Sequence, residues 1–225
     1  MMKTTTDLFI QHFSFWPHLT EAQRAFLNDH TRPVRYGKGA AVQREMGDCL
    51  GVLLVKKGQL RAYALSEDGR DVTLHRFGPD EVSVMTATCS LEAVTFRVFI
   101  DAVEDTEALL TDAEAFRRLA EENIYVRCFG YERAATSLSE MLWQFQQVLF
   151  LSVDRRLALF LQEESQHHGP AIRLTHEQIA RNIGSAREVV SRLLKCFSQE
   201  GLVAVSRGSL YILNAERLKQ IAGVT

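Results

Sequence analysis

Arg187, Glu188, Ser191 and Arg192 fall within six consecutive residues, near the start of a segment with helical apolar spacing. Two guanidinium forks, a carboxylate and a hydroxyl on adjacent turns of one helix face are groups suited to hydrogen-bonding with base edges. Val189, Leu193 and Leu194 lie on the opposite side, which leaves the polar set free to face outward. This is the position from which the second helix of a helix-turn-helix meets the major groove.

The surrounding residues supply what such a helix needs. Thr175 with Gln178, and Ser185 with Glu188, both have capping-box spacing and predict two helix starts. Between them Asn182-Ile183-Gly184 reads as a tight turn, with Gly184 free to adopt a left-handed conformation. Beyond the second helix, Leu202–Ser206 and Leu210–Leu213 flank Arg207-Gly208-Ser209, a small hairpin with Arg207 at its tip placed to meet a phosphate. Ahead of the motif, Asp154 reads as the N-cap of an amphipathic helix running to about Gln166, closed by His167-His168-Gly169-Pro170. The adjacent histidines point to different sides of a helix, so they read as a solvated helix end rather than a metal site.

A long helix precedes this region. Ile124, Cys128, Tyr131, Ala135, Leu138, Leu142, Phe145 and Leu149 are spaced 4, 3, 4, 3, 4, 3, 4, the seam of a two-stranded coiled coil over about three and a half heptads. The seam predicts a parallel homodimer, and Met141 and Trp143 widen the stripe toward the helix's own domain.

The first hundred or so residues read as a β domain. Thr20 and Gln23 cap a short helix ending near His30. Brief apolar runs follow at 40–43, 50–55, 60–65, 72–77, 82–85, 94–103 and 108–110. Their punctuation is turn chemistry: Gly37-Lys38-Gly39, Gly47-Asp48, Lys57-Gly58, Glu67-Asp68-Gly69 and Gly78-Pro79-Asp80. Many short strands with regular turns predict a sandwich or jelly roll.

Composition permits this organisation. The 225 residues are 46% apolar, enough for two domains with real cores, and the net charge is −2. That charge is unevenly placed: residues 152–225 hold ten Lys/Arg and seven Asp/Glu, whereas residues 1–151 hold 16 and 21. A mildly basic end on an acidic body suits a DNA-binding module joined to a part that does not touch DNA. Cys49, Cys89, Cys128 and Cys196 stand far apart with no metal-site spacing, which fits isolated thiols in a reducing cytoplasm. No apolar stretch reaches the ~18 residues a membrane helix requires, and residues 1–10 contain no signal-peptide core. An enzymatic cupin would need a His/Glu metal cluster, and the strand region offers only His75.

Together the β-roll, the long helix and the segment LTHEQIARNIGSAREVVSRLLKCFSQEGLV resemble the Crp/Fnr superfamily of bacterial transcription regulators across nearly the whole chain. The resemblance implies an α+β fold: an N-terminal double-stranded β-helix (jelly-roll) sensor domain over residues 1–112, a dimerisation helix over 113–151 and a winged helix-turn-helix over 152–225. It implies that Arg187 and Arg192 donate to guanine O6 and N7, that Glu188 accepts from cytosine N4, and that Ser191 completes the reading face, pairings that base-edge geometry also favours. Thr175, Ser185 and Arg207 are candidates for phosphate contacts. The implied partners are double-stranded DNA carrying an inverted repeat, a second copy of the chain and RNA polymerase, with no membrane partner. A protein-docking module without DNA is the alternative, and it leaves the placement of Arg187, Glu188 and Arg192 unexplained.

The sensor region departs from the family's best-known branches. The Gly-Glu pair of the cyclic-nucleotide binders falls on Val84-Met85, and their phosphate-binding arginine falls on Phe96; neither Met85 nor Phe96 offers a cationic fork. Arg97 turns to the other strand face. Residues 1–48 contain no cysteine for an iron–sulfur cluster, and the haem ligand positions of the carbon monoxide sensors fall on Val84 and Thr86. His75 reads as a structural histidine, with haem ligation in an unfamiliar arrangement as the alternative. No cofactor is predicted. What remains is an apolar pocket around Met85, Thr86, Cys89 and Phe96 for a small hydrophobic or aromatic effector. A redox switch at Cys89, or control by protein abundance alone, are the other readings.

Overall fold

The structure is a computed structural model, and it describes residues 5–43, 50–66, 71–84, 99–206 and 208–223. The chain divides into two compact units. One comprises Met1–Leu65 and Leu74–Met141, and the other Ser66–Thr73 and Leu142–Thr225.

The first unit opens with α1 (Thr5–His12), a 3-10 turn at Trp16–His18 and α2 (Glu21–Asp29). The Thr20 capping box forms as expected, with Thr20 Oγ1 accepting from Gln23 N–H and Gln23 Oε1 accepting from Thr20 N–H, both at 3.2 Å. Among the described residues eight strands follow: β1 (Thr31–Tyr36), β2 (Ala41–Gln43), β3 (Gly51–Lys57), β4 (Leu60–Leu65), β5 (Asp71–Phe77, whose first three residues fall in the other unit), β6 (Val82–Ser83), β7 (Phe99–Ala102) and β8 (Thr106–Asp112). They form two four-stranded sheets of order β1-β8-β3-β6 and β2-β7-β4-β5, the jelly roll expected from the sequence.

The apolar runs anticipated β2 to β8. β1 escaped because Pro33 interrupts an otherwise polar run, and its place on the sheet edge is where a strand proline is tolerated. β3 shows why one sheet reads as a continuous apolar run rather than an alternating one. Leu53 and Val55 point into the layer between the sheets with Leu60, Ile100 and Leu110, while Val52 and Leu54 point outward into a second core with Phe9, Phe13, Trp16 and Phe129. A strand covered on both faces has no solvent side to be polar on.

After β8 come α3 (Ala113–Glu122) and α4 (Ile124–Phe150). The segment expected as one helix from 113 to 151 is therefore interrupted at Asn123, whose backbone is extended (φ −133°, ψ 115°). Its side chain explains the break: Asn123 Oδ1 accepts from Tyr125 N–H at 2.9 Å, and Nδ2 donates to His18 O at 3.0 Å. α4 buries Val126, Phe129, Ser137 and Met141. Trp143, expected to extend that contact, is 58% exposed. His75 in β5 is half-buried against Glu140, with Nδ1 3.3 Å from its carboxylate, and sits edge-on to Phe77. Burial pushes the His75 pKa below its ordinary value against the upward pull of Glu81.

The second unit contains α5 (Val153–His168), β9 (Ala171–Ile172), α6 (His176–Ile183), α7 (Arg187–Gln199), β10 (Val203–Ser206), β11 (Ser209–Ile212) and α8 (Ala215–Ala222). α5 begins two residues earlier than expected: Ser152 is the N-cap residue and Asp154 lies in the first turn, where its charge suits the positive end of the helix. The helix runs through His167 and His168 to Gly169, so the histidine pair is its last turn. The helices and the three-stranded sheet β10-β11-β9 enclose one core of Leu157, Leu161, Ile179, Val190, Leu194 and Leu210 among others.

Candidate nucleic-acid interface

Two short helices and a hairpin build the site. Thr175 opens α6 through the predicted capping box, its Oγ1 accepting from Gln178 N–H at 3.2 Å while its own N–H donates to Gln178 Oε1 at 2.8 Å. Gly184 ends the helix in the left-handed conformation (φ 61°, ψ 50°), as its place in the sequence predicted. The N–H groups of Gly184 and Ser185 both donate to Ala180 O, which reverses the chain within two residues.

That reversal corrects the second capping box. Ser185 is still within the turn, Ala186 is the N-cap residue of α7, and among the described residues no side chain caps this helix. Ser185 and Glu188 therefore do not form the expected reciprocal pair. The backbone N–H groups of Thr175 and Ser185 are both committed internally, which leaves their hydroxyls as the groups open to a phosphate.

α7 buries Val190, Leu194 and Phe197, with Val189 and Leu193 half-covered. The buried stripe is thus turned by one residue from the expected Val189, Leu193 and Leu194, because α7 starts at Arg187 and packs with α6 residues Ile179, Ala180 and Ile183 in one core. Arg187, Glu188, Ser191 and Arg192 are all exposed, and Lys195 continues their face by one turn. The hairpin predicted around Arg207-Gly208-Ser209 is present, β10 pairing with β11 from Val203–Ile212 to Ser206–Ser209, and Gly208 takes φ 76° at its tip. Arg207 lies outside the described residues, as do Met85, Thr86, Cys89 and Phe96 of the predicted pocket.

One residue of this unit went unnoticed in the sequence. Arg156 is buried on α5, and its Nη1 donates to Ile183 O at 2.7 Å and Gly184 O at 3.3 Å. A cation held at the carbonyl end of α6 satisfies acceptors that the helix cannot satisfy itself. Desolvation lowers the Arg156 pKa from its ordinary value. The available signal was an arginine beside the otherwise apolar Leu157, Ala158, Phe160 and Leu161.

On α4, Ile124, Tyr131, Leu138, Leu142 and Phe145 are 52–57% exposed and Leu149 is 73% exposed; Cys128 and Ala135 are exposed too. The heptad seam is therefore not the face that α4 buries. Among the described residues no group of three His, Cys, Asp or Glu is placed to hold a metal, and no helix is long and apolar enough to cross a membrane.

Comparison with known proteins agrees with this geometry. Residues 155–221 match the model of the Crp-like helix-turn-helix domain, and residues 33–123 match the cyclic nucleotide-binding domain. A protein of Thermus thermophilus named cyclic AMP receptor protein is 29% identical over 83% of this chain and 85% of its own. A CRP-like cAMP-activated global transcriptional regulator of Mycobacterium tuberculosis is 26% identical over 88% of this chain and 91% of its own. A crystal structure from Eubacterium rectale, assigned to the crp/fnr family of transcriptional regulators, superposes with a TM-score of 0.90 at 36% identity, over 95% of this chain and 99% of the other. Since the likeness runs through both units and nearly end to end, this chain belongs to the Crp/Fnr family of transcription regulators.

Proposed function

We propose that the chain acts as a parallel homodimer that reads an inverted repeat in double-stranded DNA through α7. Arg187 and Arg192 are the guanine-reading forks, Glu188 the acceptor that selects cytosine, and Ser191 the hydroxyl between them. The observation that carries this reading is that all four side chains stand exposed on one face of α7 while its other face is buried. The carboxylate of Glu188 brings no attraction to the phosphate backbone, so its place on this face makes it an element of specificity rather than of affinity. Phosphate contacts fall to Thr175 and Ser185 through their hydroxyls and to Arg207. The exposed heptad seam of α4 supports the dimer, which sets two α7 helices about one turn of DNA apart.

The effector is a small hydrophobic or aromatic molecule rather than cyclic AMP bound in the manner of the cyclic AMP receptors. Val84, at the start of the position that carries Gly-Glu in cyclic-nucleotide binders, is buried in an apolar cluster with Val52 and Leu54. A redox signal at Cys89 is the second form of control. RNA polymerase is the partner through which a regulator at a promoter acts.

Selection of duplexes from a random-sequence library by the purified protein tests the reading. The expected product is an inverted repeat with guanine in each half-site. Arg192→Ala then loses sequence preference, whereas Arg207→Ala weakens specific and non-specific binding alike; identical behaviour of the two variants refutes the assigned roles.

A further inference from the structure

Asp71, Val72 and Thr73 belong to the C-terminal unit, and each meets the end of α6. Asp71 Oδ1 lies 3.2 Å from Arg181 Nε, and its side chain is only 15% exposed. Arg181 is drawn to a second carboxylate on its own helix, Glu177, at 3.6 Å. Thr73 is buried, and its Oγ1 donates to Asn182 Oδ1 at 2.9 Å, while Asn182 Nδ2 donates to Gln178 O at 2.8 Å. Asn182 is thus held at both ends of its amide. A Cβ placed on Gly184 would lie 3.7 Å from Val72 Cγ1 and 3.2 Å from Val148 Cγ2, so Val72 closes over the turn itself.

The residues that lead α6 into α7 are therefore gripped from outside the helix-turn-helix. α6 has only eight residues, too few to be stable without tertiary support. Its direction sets the start of α7, which lacks a side-chain cap of its own. We infer that Asp71 and Thr73 are positioning residues for DNA reading: acting through Arg181 and Asn182, they fix the α6–α7 turn and with it the angle at which α7 presents Arg187, Glu188 and Arg192. The same residues begin β5, which continues from Leu74 into the first unit. The inference rests on the reading of α7 as the DNA-binding helix.

The test uses the full chain in six forms: wild type, Asp71→Arg, Arg181→Asp, the double exchange Asp71→Arg/Arg181→Asp, Thr73→Val, and Thr73→Ser as its conservative partner. The readouts are amide hydrogen exchange across residues 178–186 without DNA, and affinity for the duplex that the wild type selects from a random library. Each charge reversal is expected to speed exchange and to weaken binding about tenfold, since it replaces an attraction with a like-charge contact. The double exchange should recover both to within about threefold, as complementary pairing is restored. Thr73→Val should act in the same direction by orphaning Asn182 Oδ1, and Thr73→Ser should restore both readouts. If the double exchange binds as weakly as Arg181→Asp alone, Arg181 is a DNA contact and the inference fails. Faster exchange with unchanged affinity also overturns it. A library that yields no duplex refutes the DNA-reading itself, and the exchange data alone then decide whether the grip on α6 exists.

Discussion

Replacing Arg156 by methionine removes the cation from the end of α6 while nearly preserving side-chain volume, so the effect isolates hydrogen bonding from cavity formation. The 2.7 Å bond to Ile183 O and the longer contact with Gly184 O are both lost. Hydrogen bonds from charged donors are worth ~1.5–3 kcal/mol, and a buried carbonyl left unpaired costs ~1–3 kcal/mol. Against this stands the relief of desolvation that the lowered Arg156 pKa reveals. Arg156 Nε, moreover, has no partner among the described residues, so part of the buried charge is uncompensated. The balance is a loss of about 2 kcal/mol. For a unit of this size that lowers the melting temperature by about 10 °C. Urea unfolding followed by far-ultraviolet circular dichroism measures the stability, and fluorescence anisotropy on the selected duplex measures binding. A change below about 0.5 kcal/mol, the range of an ordinary surface substitution, combined with unaltered affinity, would refute the argument, because it would mean that water serves the two carbonyls as well as the guanidinium does.

Gly184→Ala should cost ~1–3 kcal/mol, because a non-glycine residue in the left-handed region is strained and its Cβ would press on Val148; urea midpoints measure this, and an unchanged midpoint would contradict it. Thr175→Ala should cost ~1 kcal/mol through loss of the capping box, with Thr175→Ser recovering most of it in the same titration. Mild oxidation should link two chains through Cys128, which occupies a seam position that faces its own counterpart in a parallel pair; peptide mass spectrometry identifies the bond, and linkage absent in a protein that sediments as a dimer would exclude the parallel register. The folded state holds His75 below its ordinary pKa, so the unfolded chain binds more protons as pH falls below about 6.5, and stability should decline through the folded pKa. No contribution remains above that range, where both states are neutral. His75→Gln should flatten the acid limb of the stability profile; an unchanged limb would assign it to other groups.

Features that depend on near neighbours in the chain were legible in the residues. The Thr20 and Thr175 capping boxes, the left-handed Gly184 and the hairpin around Gly208 were all read from local spacing and were found in place. The Ser185 box shows the limit of such reading. Its spacing is correct, but the backbone bonds of the turn to Ala180 O hold Ser185 two residues ahead of α7. Likewise the buried stripe of α7, Val190, Leu194 and Phe197, lies one residue from the one its apolar spacing suggests, since periodicity fixes a spacing and not the face that finds a partner.

What sequence alone determined was the sandwich or jelly roll, the long helix and the polar set on α7, because strand length, turn chemistry and helical period are short-range consequences of side-chain shape and polarity; the family came from resemblance, above all over residues 174–203. The remaining features depended on residues distant in the chain. The heptad seam was visible as a period, but its exposure followed only from α4 packing a different face, with Val126, Phe129 and Met141, into its own unit. Arg156 meets Ile183 across 27 residues and Thr73 meets Asn182 across 109, and no spacing along the chain announces either contact. Such pairs come together only when the core has fixed the backbone, and a buried guanidinium or hydroxyl is then tolerated because folding has brought its partner within hydrogen-bonding distance.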